Sequence, residues 1–157
     1  MRAIFKRELK SYFTSPIGYI LLSIFCILTA LTFCTSNLKY SYTSMTDLFQ
    51  FIMAWVLMIM APILTMKLMS EEKKLKTDQL LLTSPVSIPG IVIGKFLSAL
   101  VFFLIALSST LLYVLVTFIY GKPDVGLLIG NYLAIIFLAS SFLAIGIFIS
   151  SLTENQL

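Results

Sequence analysis

Read as runs of apolar and polar positions, the chain alternates four long uncharged stretches with short charged ones. Ile17 to Ser36, Leu48 to Met66, Phe96 to Tyr120 and Val125 to Thr153 contain no Asp, Glu, Lys or Arg. A helix needs roughly 20 apolar residues to cross the hydrocarbon core of a bilayer. Each run is therefore read as a membrane-spanning helix. Before the first run, MRAIFKRELKSYF places Ile4, Phe5, Leu9, Tyr12 and Phe13 on one side of a helical wheel, with Lys6, Arg7 and Lys10 opposite. That pattern predicts a helix over residues 1–15 lying in the membrane interface. Glu8 falls within its apolar arc. Ser15-Pro16 then breaks the helix, because the residue before a proline avoids the helical region while proline itself suits a first turn. A secretory signal peptide is the competing reading of the first run, but the run is long for such a segment and no small-x-small cleavage site follows it.

The second run carries Pro62 deep inside, where the missing N–H should kink the helix. Between the third and fourth runs lies only Gly121-Lys122-Pro123-Asp124, which predicts an antiparallel hairpin. The polar stretch from Lys67 to Lys95 must lie outside the bilayer core. Within it, SEEKKLKTDQLLLTSPVS (Ser70 to Ser87) offers Thr77 as the cap of a short helix, Leu80, Leu81 and Leu82 as its apolar face, and Pro85 as its stop. On composition alone those leucines either meet a protein partner or rest on the membrane surface. Gly126 and Gly130 have GxxxG spacing, and Ser140, Ala144 and Gly146 lighten part of the fourth run, so both are candidate packing faces. Ser108, Ser109 and Thr110 can satisfy their hydroxyls on preceding carbonyls.

Composition agrees with the runs: 59% of the 157 residues are hydrophobic and 11% are charged, against about 25% charged in soluble domains. The expected fold is all-α: a polytopic membrane protein with an N-terminal interfacial helix, four transmembrane helices and a short coupling helix. Its net charge is +4, but the basic residues flank apolar runs, where anionic lipid is their natural partner and nucleic acid is not. Orientation follows from where they sit, since Lys and Arg favour the cytoplasmic side. Arg2, Lys6, Arg7, Lys10, Lys67, Lys73, Lys74, Lys76 and Lys95 lie on one side and only Lys39 and Lys122 on the other. Both termini and the Lys67 to Lys95 stretch are expected in the cytoplasm.

The chemistry is sparse. Histidine is absent from the sequence, which removes imidazole ligands and bases. The acids are Glu8, Asp47, Glu71, Glu72, Asp78, Asp124 and Glu154, and none sits deep in an apolar run where a proton relay would need one. Cys26 and Cys34 lie inside the first run and are read as small hydrophobes. No bound metal or cofactor is expected, and an intramembrane enzyme lacks the base or metal pair it would need. The sequence contains no G-x-x-x-x-G-K-[ST] phosphate loop.

Three segments in order, KRELKSYFTSPIGYI (Lys6 to Ile20), APILTMKLMSEEKK (Ala61 to Lys74) and KTDQLLLTSPVSIPGIVIGKFLSA (Lys76 to Ala99), resemble the permease subunits of type-2 export ATP-binding-cassette transporters, in particular the gliding-motility and Nos-type branch. The resemblance implies a permease of the bacterial inner membrane without catalytic residues of its own. ATP is used by a separate cytoplasmic ATPase subunit, and a second permease copy or paralogue completes the assembly. It assigns docking on the ATPase to Glu71, Glu72 and the segment Thr77, Asp78, Gln79, Leu80, Leu81, Leu82, Thr83, Ser84 and Pro85. It assigns the interfacial helix to Phe5, Lys6, Arg7, Leu9, Tyr12 and Phe13. Many family members have a glycine before that threonine and a glutamate shortly after it, where this chain has Lys76 and Gln79. Family permeases usually have six spans, so the resemblance also implies truncation after the fourth, with two further spans missing. The alternative function is a four-span scaffold that recruits a cytoplasmic partner and transports nothing.

Overall fold

The computed structural model describes residues 2–39, 44–74 and 88–152, and in these it is helical, with no strand among the described residues. Helix α1 (Arg2–Thr14) ends at Ser15, which is extended and caps the next helix by accepting a hydrogen bond from the Ile17 amide (3.3 Å). Pro16 opens α2 (Pro16–Phe33), which continues into a wide π turn (Cys34–Leu38). The second span runs through α3 (Thr46–Phe51), another π turn (Ile52–Val56) and α4 (Leu57–Lys74). The third is α5 (Ile88–Ser108) followed by α6 (Leu111–Tyr120), and the fourth is the single helix α7 (Val125–Leu152). Four stretches are long and apolar enough to cross a membrane: Pro16–Leu38, Thr46–Met66, Pro89–Tyr120 and Val125–Ser150.

Two helix boundaries differ from the hydropathy pattern. Helix α4 continues past the apolar run to Lys74, so the backbone of Glu71 and Glu72 belongs to its last turn. Helix α5 begins at Ile88 and not near Phe96. Hydropathy marks where a bilayer could end, whereas backbone hydrogen bonding carries a helix on until a breaker stops it. Pro89 causes no break because it sits in the first turn, where its missing N–H has no helical partner to lose. Lys95, read from sequence as a loop residue, thus lies inside a helix and is 2% exposed.

A buried aromatic and aliphatic layer joins the four spans. Phe25, Phe49, Ile52, Phe102, Ile135 and Ala139 have no exposed surface, and Phe25 meets Phe103 edge-on while Phe49 meets Tyr132 edge-on. The second and fourth spans share the largest interface, followed by α1 against α5. The outward faces are as apolar as the interior: Tyr19, Ile27 and Leu31 on α2, Met58 on α4, Leu112 and Ile119 on α6, and Phe137 and Phe148 on α7 are all exposed. Contiguous apolar surface on that scale needs lipid or protein to cover it. The fold is therefore an all-α polytopic membrane protein.

At the hairpin between the third and fourth spans, Asp124 caps α7: its Oδ1 accepts from the amides of Gly126 (2.9 Å) and Leu127 (3.3 Å). Among the described residues, nothing packs closely on the GxxxG pair. A methyl group added at Gly130 would meet nothing within 4 Å, and one at Gly126 would meet only Asp124. The close approach lies at Gly146, where an added Cβ would stand 2.6 Å from Thr65 Oγ1 and 2.7 Å from its Cγ2.

Candidate functional site

The candidate site is the junction where α1 meets α4 and α5, the two helices that flank residues 75–87. Sequence dictates its first contact. A helix that starts at Pro16 directly after Ser15 must turn back sharply on α1, and Gly18 lies in that turn with its amide on the Ser15 carbonyl (3.1 Å). A side chain there would collide with the Tyr12 carbonyl oxygen. Along α1, residues Ile4, Glu8 and Tyr12 form a buried stripe spaced by four, while Phe5, Leu9 and Phe13 are half-buried beside it and Lys6, Arg7 and Lys10 are exposed. Spacing by four is one face of an α-helix, and this face lies against α5. Gly94 leaves room for Ile4, whose Cγ2 would be 3.3 Å from a Cβ at that position.

Tyr12 is the centre of the junction. It is 1% exposed, its ring stacks on Phe102 of α5 (centroids 4.8 Å apart, planes at 26°), and its hydroxyl donates to the Leu64 carbonyl of α4 at 3.0 Å. One side chain of α1 therefore touches both helices that lead to the predicted coupling segment. Phe13 adds a tilted contact to the same Phe102 ring (5.6 Å). Nearby, Ser98 Oγ donates to the Lys95 carbonyl (2.7 Å), and Thr65 Oγ1 donates to the Pro62 carbonyl (3.0 Å). Glu8, buried against the same face, accepts from Arg7 Nη2 at 2.7 Å.

Of the residues named from sequence, the structure brings Tyr12, Phe13 and Leu9 into this junction and leaves Lys6 and Arg7 on its rim. Pro62 lies within α4 on an exposed position. Thr77 to Pro85 lie outside the described residues, as do the side chains of Glu71 and Glu72. Sequence reasoning did not find the tie from Tyr12 to Leu64, the need for Gly18, or the burial of Lys95. The signal available for Gly18 was only that a glycine leaves room for a close backbone approach. No group of acidic or cysteine side chains among the described residues could hold a metal ion.

The chain is also matched at the family level. A family model described as ABC-2 family transporter protein covers residues 2–156. The chain belongs to that family. As an ABC-2 transporter protein it is a multi-pass membrane protein and the permease component of an ABC transporter, a component that is not normally itself catalytic. The family implies partnership with an ABC ATPase subunit. No curated protein and no solved structure matches the chain.

Proposed function

We propose that this ABC-2 permease couples ATP hydrolysis, performed by a separate ATPase subunit, to export across the bacterial inner membrane. In this reading both chain termini and residues 75–87 face the cytoplasm, which the lysine and arginine distribution supports. Glu71, Glu72 and Thr77 to Pro85 dock on the ATPase, and a second permease copy or paralogue completes the translocation path. The gliding-motility and Nos-type branch fits best, from the Ser15-Pro16 break and the SEEKK and LLLTSPVS segments.

The observation that carries the proposal is the Tyr12 junction. A partner that displaces residues 75–87 must move α4, α5 or both, and Tyr12 is bonded to one and stacked on the other. Displacement would enter the membrane as a joint movement of two spans braced by α1, as expected when packed elements shift between discrete arrangements. Pro62 would give α4 a compliant point just inside that brace.

The test is co-purification of the tagged chain from its native membrane, followed by turnover measurements on any captured ATPase. Leu81→Asp places a charge among the three leucines. A phosphate-loop ATPase that is captured by the unmodified chain, lost with Leu81→Asp, and altered in turnover by the permease is the expected result. An ATPase whose binding and turnover ignore both the permease and the substitution would overturn the coupling reading in favour of a scaffold.

A further inference from the structure

The third span is not one helix, and neither proline nor glycine explains why. Between Ser108 and Leu111 the α-helical pattern gives way to tighter bonds: Ser109 N to Ala106 O (3.2 Å), Thr110 N to Leu107 O (3.0 Å), Leu112 N to Ser109 O (3.3 Å) and Tyr113 N to Thr110 O (3.0 Å). Three consecutive hydroxyls each donate to the carbonyl three residues back: Ser108 to Ile105 (2.6 Å), Ser109 to Ala106 (2.7 Å) and Thr110 to Leu107 (2.6 Å). Side-chain hydroxyls that bond back to carbonyls compete with the helical ladder and bend it. In a membrane they also let a non-α step persist, because the carbonyls remain satisfied. Short 3₁₀ stretches in the middle of a helix are frequent hinge points.

The two sides of this step differ in how they are held. On α5, Ala99, Phe102, Phe103, Ala106 and Leu107 are buried, and α1 clamps the helix through Tyr12. On α6, Thr117 is the buried residue, while Leu112, Leu115, Ile119 and Tyr120 are exposed. Contacts to neighbouring spans hold the start of the outer part: Tyr113, Val114 and Val116 pack partly buried against the core, and Cys26 Sγ of the first span donates to Ser109 Oγ at 3.7 Å. Thr110 Oγ1 and the Tyr132 hydroxyl of the fourth span are 2.7 Å apart. The Tyr113 ring stacks on Phe33 (4.9 Å), and its hydroxyl lies at the long distances of 3.4 Å from Thr29 Oγ1 and 3.5 Å from the Cys26 carbonyl.

We propose that Ser108-Ser109-Thr110 form a hinge that lets α6 swing independently of α5, with the Thr110–Tyr132 and Tyr113–Thr29 contacts as its latches. Its use in transport rests on the coupling reading above, since only a driven α5 would make a free α6 useful. A segment with few buried contacts next to a well-packed one is where local motion concentrates.

The experiment measures distances between spin labels on the chain in lipid nanodiscs, with Cys26→Ser, which keeps a hydroxyl donor facing Ser109, and Cys34→Ser as background in every variant. Met58→Cys on α4 serves as reference, paired either with Leu97→Cys on α5 or with Ile119→Cys on α6, all exposed positions. The expected distance distribution is about twofold broader for the Ile119 pair than for the Leu97 pair. Replacing Ser108 and Ser109 together by Ala, which leaves the Thr110–Tyr132 latch in place, narrows it to the width of the Leu97 pair, whereas Tyr132→Phe broadens it. Thr110→Ser, which keeps the hydroxyl, retains the broad distribution and serves as the variant that must fold. Equal widths for the two pairs in the unsubstituted chain would overturn the hinge, and so would an unchanged width after the double replacement. These widths are read without ATPase, so they test the hinge alone. A shift of the Ile119 pair on adding ATPase and ATP tests the coupling reading separately.

Discussion

Replacing Tyr12 by Phe removes one oxygen atom from the best-connected side chain of the junction. The ring, its stacking on Phe102 and its burial are kept, and the hydrogen bond to the Leu64 carbonyl is lost. A net hydrogen bond is worth about 1 kcal/mol in folded proteins, and interhelical bonds in membrane proteins average about 0.6 kcal/mol with a maximum near 1.7. A loss of about 1 kcal/mol is therefore expected, close to a fivefold change in the folding equilibrium. Tyr12→Ala removes the ring as well, and truncating a buried aromatic costs about 3 to 5 kcal/mol. The assay is reversible unfolding in mixed detergent micelles, followed by helical circular dichroism and by the fluorescence of Trp55, the sole tryptophan. If Tyr12→Phe unfolds at the same denaturant fraction as the unsubstituted chain while Tyr12→Ala loses several kcal/mol, packing alone holds the junction. The hydroxyl tie between α1 and α4 would then carry no weight in the coupling argument.

Gly146→Ala should destabilise the chain by more than 1 kcal/mol in the same assay, because Thr65 at 2.6 Å cannot retreat without disturbing the interface of the second and fourth spans. Gly130→Ala should be neutral or slightly stabilising, since its Cβ meets nothing within 4 Å. Gly18→Ala should sharply lower the yield of folded protein measured by size-exclusion chromatography, because the group it strikes is the Tyr12 backbone and not a movable side chain. Asp124→Ala should cost about 1 kcal/mol as a lost helix cap, and Asp124→Asn should recover most of it.

Hydropathy is the coarsest signal in the sequence and also the most reliable one here, so the four spans and the Ser15-Pro16 break were legible from the amino acids alone. Features that depend on which helices become neighbours were not. Gly126 with Gly130, and Gly146 with Ser140 and Ala144, were both candidate packing faces, yet nothing in the sequence told that Gly146 makes the close crossing, because a small residue matters only where another helix arrives. Lys95 read as a loop residue because charge ends an apolar run, but the helix continues through it and it is buried. The hydroxyl triplet at 108–110 was visible as self-satisfying, whereas its breaking of the helix depended on backbone geometry that no propensity encodes. Tyr12 was placed on the correct face of α1, but the carbonyl it would meet lies 52 residues away and could not be named from spacing.

The wide turn at Ile52–Val56 sets the phase of the second span. Leu48, Ile52, Val56, Met60 and Leu64 are all buried although they recur at every fourth position. An α-helix completes a turn in 3.6 residues, so such a row would drift about 40° per step and leave the core face within a few turns. The π turn, in which the Leu57 amide reaches back five residues to the Ile52 carbonyl, underwinds the chain and returns the row to the core. The wide turn thus absorbs one residue more than a regular helix would hold in the same phase. With all its residues kept, a regular helix would turn Met60 about 120° away from Leu48, whereas deleting one residue inside Ile52–Val56 would let a regular helix bring the two back within about 20° of each other.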